Sequence, residues 1–264
     1  MPIIVERRGA VQWLTLNRPR ARNAIDSETV QQLRAFFENL RDDSETRVVV
    51  LRGAGDTFSA GLDLKEAFAM RTQAEDDDLA RMITKFQRRW SDIIKAMRRA
   101  PQPIIALVDG HACGAGFALA LACDVRYATT AARLNAQSIR IGTTGADIGT
   151  SYFLPRICGL SVASELMLTG RFIDGRRAER VGLVSQCFDD AAKMEEAATV
   201  LAAEMASFTP LAVEATKDAI GLGADASSLN EALAIEDRQQ VTLVASPAGM
   251  VAALKGNARA RSKL

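Results

Sequence analysis

Two short apolar runs, each followed by a loop rich in glycine, constrain the fold of this chain most. Residues 48–51 (VVVL) and 103–108 (PIIALV) carry no polar side chain. A run that is apolar at every position predicts a strand buried on both faces, as in a parallel sheet that helices cover on both sides. The two units therefore predict an α/β core.

The segments between these runs alternate between strand and helix patterns. Residues 3–6 and 11–16 predict a hairpin with its turn at Gly9, and Asp26 is a candidate cap for a helix that follows it. A second helix is expected before residue 101, since apolar residues recur there at helical spacing and form one face. That face consists of Met82, Phe86, Trp90, Ile93 and Met97.

The pattern changes near the end of the chain. From residue 191 onward nearly every segment is helical, over 191–207, 211–222, 229–243 and a last stretch from Pro247. We therefore expect a core in residues 1–200, which holds the site, and a helical assembly region in residues 201–264.

Composition excludes several functional classes. The net charge of +1 gives no electrostatic case for a nucleic-acid or membrane-surface partner. No apolar run reaches the roughly 18 residues of a spanning helix, so we expect a soluble protein. The four cysteines form no CxxC pair, which favours reduced thiols over disulfides and predicts no metal site.

The glycine loops themselves suggest a site. Residues 58–63 (FSAGLD) and 114–117 (GAGF) each offer backbone N–H groups where the chain turns, and two such groups can form an oxyanion hole around one oxygen. The alternative is that the glycines only permit close packing of strand and helix. A dinucleotide site is disfavoured, because Leu119 occupies the third glycine position of that motif.

Five segments in order and spacing resemble the signatures of the crotonase (enoyl-CoA hydratase/isomerase) family. They are residues 17–24, 58–65, 109–116, 122–126 and 168–184. The resemblance covers about residues 5–260. It implies a spiral core of repeated ββα units, a C-terminal helical region that forms homotrimers or dimers of trimers, and an acyl-coenzyme A thioester substrate without any further cofactor.

The resemblance also assigns site residues. The oxyanion donors fall on the backbone N–H groups of Leu62 and Ala115. Lys65 occupies a position that meets the coenzyme A phosphates in the family, and Arg22 lies in the loop that lines the nucleotide, although both could equally be solvated surface charges. The full set implied to contact the substrate is Arg22, Ala60, Leu62, Asp63, Leu64, Lys65, Gly114, Ala115 and Ser138.

The chain departs from the family at the acid–base positions. Hydratases of the family hold and deprotonate water with two glutamates, and these positions are Ala118 and Ser138 here. Alanine carries no proton, and a serine hydroxyl is a poor base. Standard hydration with two carboxylates is therefore in doubt.

Asp147 is the remaining candidate acid. It lies in a Gly-x-Asp-x-x-Thr-Ser-Tyr run that resembles 4-chlorobenzoyl-CoA dehalogenases, and some isomerases of the family carry their carboxylate at an adjoining position. The alternative is that Asp147 caps the helix that begins near Gly149. His111 is the only histidine and is interpreted as structural, while Asp63 and Glu66 are expected to cap or pair.

Three functions remain open from the sequence. The first is an enzyme that moves a proton by way of Asp147, for double-bond isomerisation or an atypical hydration. The second is a catalytically silent acyl-CoA binding protein, and the third is an enzyme in which Asp147 attacks the acyl group, as in dehalogenation or hydrolysis. The terminal Ser262-Lys263-Leu264 matches a peroxisomal address, which would apply in a eukaryote, whereas a bacterial protein would be cytoplasmic.

Overall fold

The computed structural model describes residues 1–73, 76–247 and 251. Within them, strands β1 to β9 are Ile3–Arg8, Val11–Leu16, Val48–Gly53, Ile104–Val108, His111–Cys113, Val125–Thr129, Arg133–Asn135, Ile173–Asp174 and Gln186–Phe188. Helices α1 to α9 are Ser27–Asn39, Leu64–Gln73, Asp76–Arg99, Ala115–Ala122, Thr150–Thr169, Gly175–Arg180, Ala191–Ser207, Pro210–Asp225 and Leu229–Ala245. Except for Pro247 and Val251, the helical stretch expected from residue 247 lies outside the described residues, as does Ser262-Lys263-Leu264.

Six strands form the main sheet, in the order β1-β2-β3-β4-β6-β9. β1 and β2 form an antiparallel hairpin whose turn contains Gly9 at a φ of 61°, and every other neighbouring pair in this sheet is parallel. A smaller sheet has the order β5-β7-β8. The predicted hairpin and the two predicted buried strands are confirmed.

The main sheet is covered on both faces. Along β3, Val49 and Leu51 point into the larger core with α1, α3 and α4, while Val48 and Val50 pack on the opposite face with residues of α7. This arrangement confirms the α/β core. Residue 200, where a boundary is expected from the sequence, lies inside α7, and α7 is one of the two layers that bury the sheet.

Two helices of the larger core form as their sequences predict. The carboxylate of Asp26 accepts a hydrogen bond of 2.8 Å from the Thr29 N–H and so caps α1. On α3, Trp90, Ile93 and Met97 are all buried. The apolar face predicted for this helix is therefore the face that packs on the core.

The last two described helices lie outside this core. α8 and α9 pack on each other, α9 has no buried residue between 229 and 245, and Lys217 is the one buried residue of α8. The Lys217 ammonium donates to Asp124 Oδ2 at 2.9 Å and to the Gln102 carbonyl at 2.8 Å. Burial lowers the pKa of Lys217, although the charge of Asp124 opposes that shift.

No helix within the described ranges has the length and apolar character that a membrane crossing requires. The four cysteines are free thiols, and Cys113, Cys123 and Cys187 are buried.

The loops that follow β3 and β4 meet at one edge of the main sheet. We call residues 54–63 the first glycine loop and residues 109–114, which include the short strand β5, the second glycine loop. Ser59 of the first loop donates its N–H to the His111 carbonyl at 2.8 Å, and Cys113 donates its N–H to the Ser59 carbonyl at 2.9 Å. Because β3 and β4 are neighbouring parallel strands, their carboxyl ends deliver both loops to this place.

Gly116, in the first turn of α4, allows this close approach. A Cβ atom at Gly116 would lie 2.7 Å from Ser59 Cβ and 2.8 Å from the Ser59 carbonyl oxygen. Ser59 cannot move aside, since its hydroxyl donates to the Asn23 carbonyl at 2.7 Å and accepts from the Gly61 N–H at 3.1 Å. A side chain at position 116 must therefore separate α4 from the first glycine loop.

Gly116→Ala should destabilise the protein by about 1–3 kcal/mol, the usual cost of overpacking a well-packed core. The free energy of unfolding in urea measures the change.

Gly223→Ala is the matched control, because Gly223 is also helical and a Cβ atom there would meet nothing within 4 Å. At such a site alanine should stabilise the protein by about 0.4–1 kcal/mol. If both substitutions stabilise the protein, Gly116 does not hold α4 against the first glycine loop.

Candidate active site

The second glycine loop ends at the start of α4. Gly114 precedes the helix with a φ of 50°, and no side chain caps it. The first N–H groups of a helix have no acceptor within it, and here the first helical bond runs from the Ala118 N–H to the Gly114 carbonyl. Among the described residues the Ala115 N–H has no acceptor.

The first glycine loop brings a second N–H group of this kind. On either side of Leu62, the Gly61 N–H donates to the Ser59 hydroxyl and the Asp63 N–H donates to the Ile25 carbonyl at 3.0 Å. Within the described parts of the chain, the Leu62 N–H between them is left without an acceptor. The two N–H groups that the family resemblance assigns as oxyanion donors thus both lack an acceptor among the described residues.

Gly61 shows how closely the two loops approach. It has a φ of 87°, and a Cβ atom placed on it would lie 3.3 Å from the Ala115 nitrogen and 2.4 Å from the Cys113 carbonyl oxygen. Any side chain at Gly61 would therefore occupy the space beside the Ala115 N–H. The backbone directly before Leu62 therefore abuts the backbone at Ala115.

The side chain of Asn23 holds the first glycine loop in place. It is buried, and its amide donates to the Ala54 carbonyl at 2.9 Å and to the Thr57 carbonyl at 2.6 Å. Asn23 and Arg22 both have a φ of 52°, a left-handed conformation that asparagine tolerates better than most residues. In the sequence, Asn23 is recognisable only as part of the family-like segment 17–24. No local sequence pattern indicates that its side chain holds the first glycine loop.

A group of charges links the same loop to α1 and α2. Arg18 contacts Asp63 Oδ2 at 3.0 Å and Asp26 Oδ2 at 3.1 Å. Burial raises the pKa of Asp63, but the hydrogen bond and charge of Arg18 with the N–H groups of α2 outweigh it, so the pKa lies below its usual value. Glu66 accepts the Ser27 N–H at 2.8 Å. The prediction that Asp63 and Glu66 cap or pair is confirmed.

The basic residues assigned to coenzyme A flank this loop. The carbonyl of Arg22 accepts the Ala60 N–H at 2.9 Å, and Lys65 lies in the first turn of α2, just after Leu62 and Leu64. Both basic side chains are exposed, and neither forms an ion pair with any side chain that the structure describes, those of residues 70, 71 and 73–77 being outside that set. Each is free to meet an anion from solvent.

The positions of the two family glutamates lie on elements next to the second glycine loop. Ala118 is buried within α4. Ser138 lies in a 3₁₀ turn. A Cβ atom built on Gly114 would lie 3.6 Å from the Cβ atom of the neighbouring Gln137. The turn is thus in contact with the start of α4.

Asp147 lies in the loop that follows this turn and precedes α5. Its carboxylate is half-buried and accepts a hydrogen bond from the Gln87 side-chain amide of α3. The residue that caps α5 is Gly149, with no capping hydrogen bond from a side chain. The alternative that Asp147 caps this helix is therefore wrong, and its carboxylate faces α3.

His111 contributes to the site through its backbone. Its carbonyl joins the two glycine loops, whereas its imidazole is exposed and packs edge-on against Phe172 with ring centroids 5.7 Å apart. In the described ranges no group of three or more His, Cys, Asp and Glu side chains could hold a metal ion.

Comparison with known proteins identifies the family of this chain. The sequence pattern of the enoyl-CoA hydratase/isomerase family matches residues 6–254. A Mycobacterium bovis protein named as a probable enoyl-CoA hydratase is 38% identical over 90% of this chain and 84% of its own length. The human mitochondrial Δ(3,5)-Δ(2,4)-dienoyl-CoA isomerase is 36% identical over 78% of this chain and 64% of its own length.

Solved structures show the same fold. The crystal structure of an enoyl-CoA hydratase from Bacillus anthracis superimposes with a TM-score of 0.88 at 29% identity, and the match covers 100% of this chain and 97% of that one. The pattern match, these relatives and the crotonase-type fold together show that this chain belongs to the enoyl-CoA hydratase/isomerase family.

Proposed function

We propose that this chain isomerises a carbon–carbon double bond in an acyl-CoA thioester. The N–H groups of Leu62 and Ala115 hold the thioester oxygen, and Asp147 moves the proton. The observation that supports this proposal most is the pair of unused N–H groups on abutting backbone segments, because such groups stabilise a negative charge that develops on an oxygen.

The chemistry follows from these groups. The Asp147 carboxylate takes a proton from a carbon next to the double bond, and the electron pair of that C–H bond moves through the conjugated system onto the thioester oxygen. The two N–H groups bind this oxyanion. The carboxylic acid then returns the same proton to another carbon as the charge leaves the oxygen, so the double bond shifts and no cofactor is consumed.

One carboxylate is sufficient for such a shift. Hydration also requires that a water molecule be held and deprotonated, and Ala118 and Ser138 offer no carboxylate for this purpose. The relative named as a dienoyl-CoA isomerase accords with isomerisation. The relative named as an enoyl-CoA hydratase favours a second candidate function, an atypical hydration in which Asp147 is the only acid.

Coenzyme A is part of the substrate in this proposal. In this proposal its phosphates contact Lys65 and Arg22, which are exposed and flank the first glycine loop. Further contacts come from the first glycine loop and the residue after it, through Ala60, Asp63 and Leu64, and from Gly114 of the second glycine loop. Ser138 lines the acyl side from the 3₁₀ turn.

Assembly into a homotrimer or a dimer of trimers belongs to the same proposal. Apolar side chains on α8 and α9 face solvent in the single chain, among them Ile220, Leu229, Val241 and Val244 at 60–73% exposure. Such faces are normally covered by a further layer. We infer that neighbouring subunits supply it.

Ala115→Pro removes the N–H assigned to the oxyanion hole. Position 115 is the first residue of α4, where a helix tolerates proline best, so the variant should fold. Loss of one donor costs about 2.7–4 kcal/mol of transition-state stabilisation, or roughly 10²–10³ in kcat. Steady-state kinetics on enoyl-CoA thioesters measure the loss, and a folded variant with full rate would exclude Ala115 as a donor.

Lys65→Ala should weaken the binding of coenzyme A and reduce the dependence of binding on salt, since a phosphate contact is mainly electrostatic. Calorimetry measures both quantities. Lys193→Ala is the control, because Lys193 is also exposed but lies on α7, across the main sheet from the glycine loops. Equal affinity of the wild type, Lys65→Ala and Lys193→Ala would show that Lys65 is a solvated surface charge that does not contact coenzyme A.

Asp147→Asn keeps the shape of the side chain and its acceptor for Gln87, but it cannot take up a proton. The rate should fall by roughly 10²–10⁴, the usual contribution of a positioned proton-transfer group, while acyl-CoA affinity stays near that of the wild type. Asp190→Asn is the control, since it alters an exposed carboxylate that caps α7 and pairs with Lys193, on the other face of the main sheet.

The outcomes separate the three functions left open by the sequence. Brisk hydration by the wild type together with an unimpaired Asp147→Asn variant would contradict the mechanism. A covalent acyl adduct on Asp147 in mass spectrometry would indicate nucleophilic attack. Absence of turnover with every thioester in both proteins would identify a binding protein.

A further inference from the structure

The Asp147 carboxylate has one partner among the side chains that the structure describes, the amide of Gln87. The Gln87 Nε2 donates to Asp147 Oδ1 across 60 residues of sequence, and so joins α3 to the loop before α5. Among the side chains that the structure describes, which exclude those of residues 70, 71 and 73–77, no Lys, Arg or His nitrogen forms an ion pair with this carboxylate within 4.0 Å. A neutral group, rather than a cation, therefore holds it.

Gln87 extends from a rigid part of α3. Trp90, three residues further along the helix, is 1% exposed, and Phe86 packs edge-on against it with ring centroids 6.3 Å apart. The helix continues into the core through Ile93 and Met97. The exposed amide of Gln87 is thus attached to a helix that cannot shift easily.

The backbone around Asp147 is also constrained. Ile148 is buried and has a φ of 49°, and Gly149 follows with a φ of 85°. A β-branched residue in this left-handed region is strained, and such strain persists where surrounding contacts enforce it, often at functional sites. The Asp147 carbonyl is held in turn by the Thr150 N–H at 2.9 Å and the Thr150 hydroxyl at 2.7 Å.

We propose that Gln87 is a positioning residue for Asp147, an inference that rests on the proposed function of that carboxylate. The amide fixes Oδ1, which leaves Oδ2 to exchange the proton with the acyl group. A paired cation would stabilise the ionised carboxylate strongly and make it a weaker base. A neutral amide orients the carboxylate and leaves its charge unpaired.

The test replaces Gln87 with methionine, which keeps the length and the helix preference of the side chain but cannot donate a hydrogen bond. Misplacement of a reacting group by about 1 Å can cost roughly 10²-fold in rate, so kcat should fall by about 10- to 100-fold. KM for the acyl-CoA should change less than about twofold, because the role proposed for Gln87 is to orient Asp147 and not to bind the thioester.

Gln32→Met is the matched control. Gln32 also donates from a helix to a carboxylate, that of Glu28 at 3.0 Å, but both residues lie on α1. Its kcat and its thermal unfolding should equal those of the wild type. A similar loss of kcat in both variants would overturn the role assigned to Gln87.

A double mutant distinguishes positioning from a general structural role. If Gln87 acts through Asp147, then adding Gln87→Met to Asp147→Asn should cause no further loss of kcat. An additional 10-fold loss in the double mutant would overturn the inference. If Gln87→Met is fully active while Asp147→Asn is impaired, the positioning role alone is rejected. If Asp147→Asn is fully active, the proposed function and this inference are both rejected.

Discussion

The pair of backbone hydrogen bonds between Ser59 and the second glycine loop is the contact on which the site depends. Each loop would otherwise be a flexible connection after a strand, and neither could hold an N–H group in a fixed direction. The buried hydroxyl of Ser59 adds a third bond, to Asn23, so the N-terminal segment is included in the same junction. Since these polar groups satisfy one another, the junction can be buried without loss of hydrogen bonds.

The sheet explains why this junction lies where it does. Neighbouring parallel strands end at the same edge, and β3 and β4 pair in register over residues 49–52 and 104–107. Helices on both faces of the sheet leave that edge as the opening where loops can meet a ligand. The fold thus supplies the place, and small residues such as Gly61 and Gly116 permit the approach.

Much of the fold could be predicted from the sequence because its signals are local. The apolar runs of β3 and β4, the hairpin and the buried face of α3 each depend on residues close together in the chain. The contact between Gln87 and Asp147 joins residues 60 positions apart, and no local pattern indicates it. For α7, α8 and α9 the sequence gives the same helical signal, yet α7 covers the sheet while α9 has no buried residue, since the choice of packing partner is a tertiary effect.

Asp124 connects the C-terminal ends of α3 and α4, the two helices that carry Gln87 and the Ala115 N–H. It lies two residues after the end of α4 and contacts Arg98, near the end of α3, at 2.7 Å. It also accepts the Ile104 N–H at 2.8 Å and pairs with Lys217 of α8. α4 begins at the Ala115 N–H, and α3 carries Gln87 about three turns before Arg98. Because one partly buried carboxylate joins the C-terminal ends of α3 and α4, it limits how far these helices can slide past each other. The distance between the oxyanion side of the site and its carboxylate is therefore set in part at the far end of the same two helices, where the helical layer formed by α8 and α9 is attached.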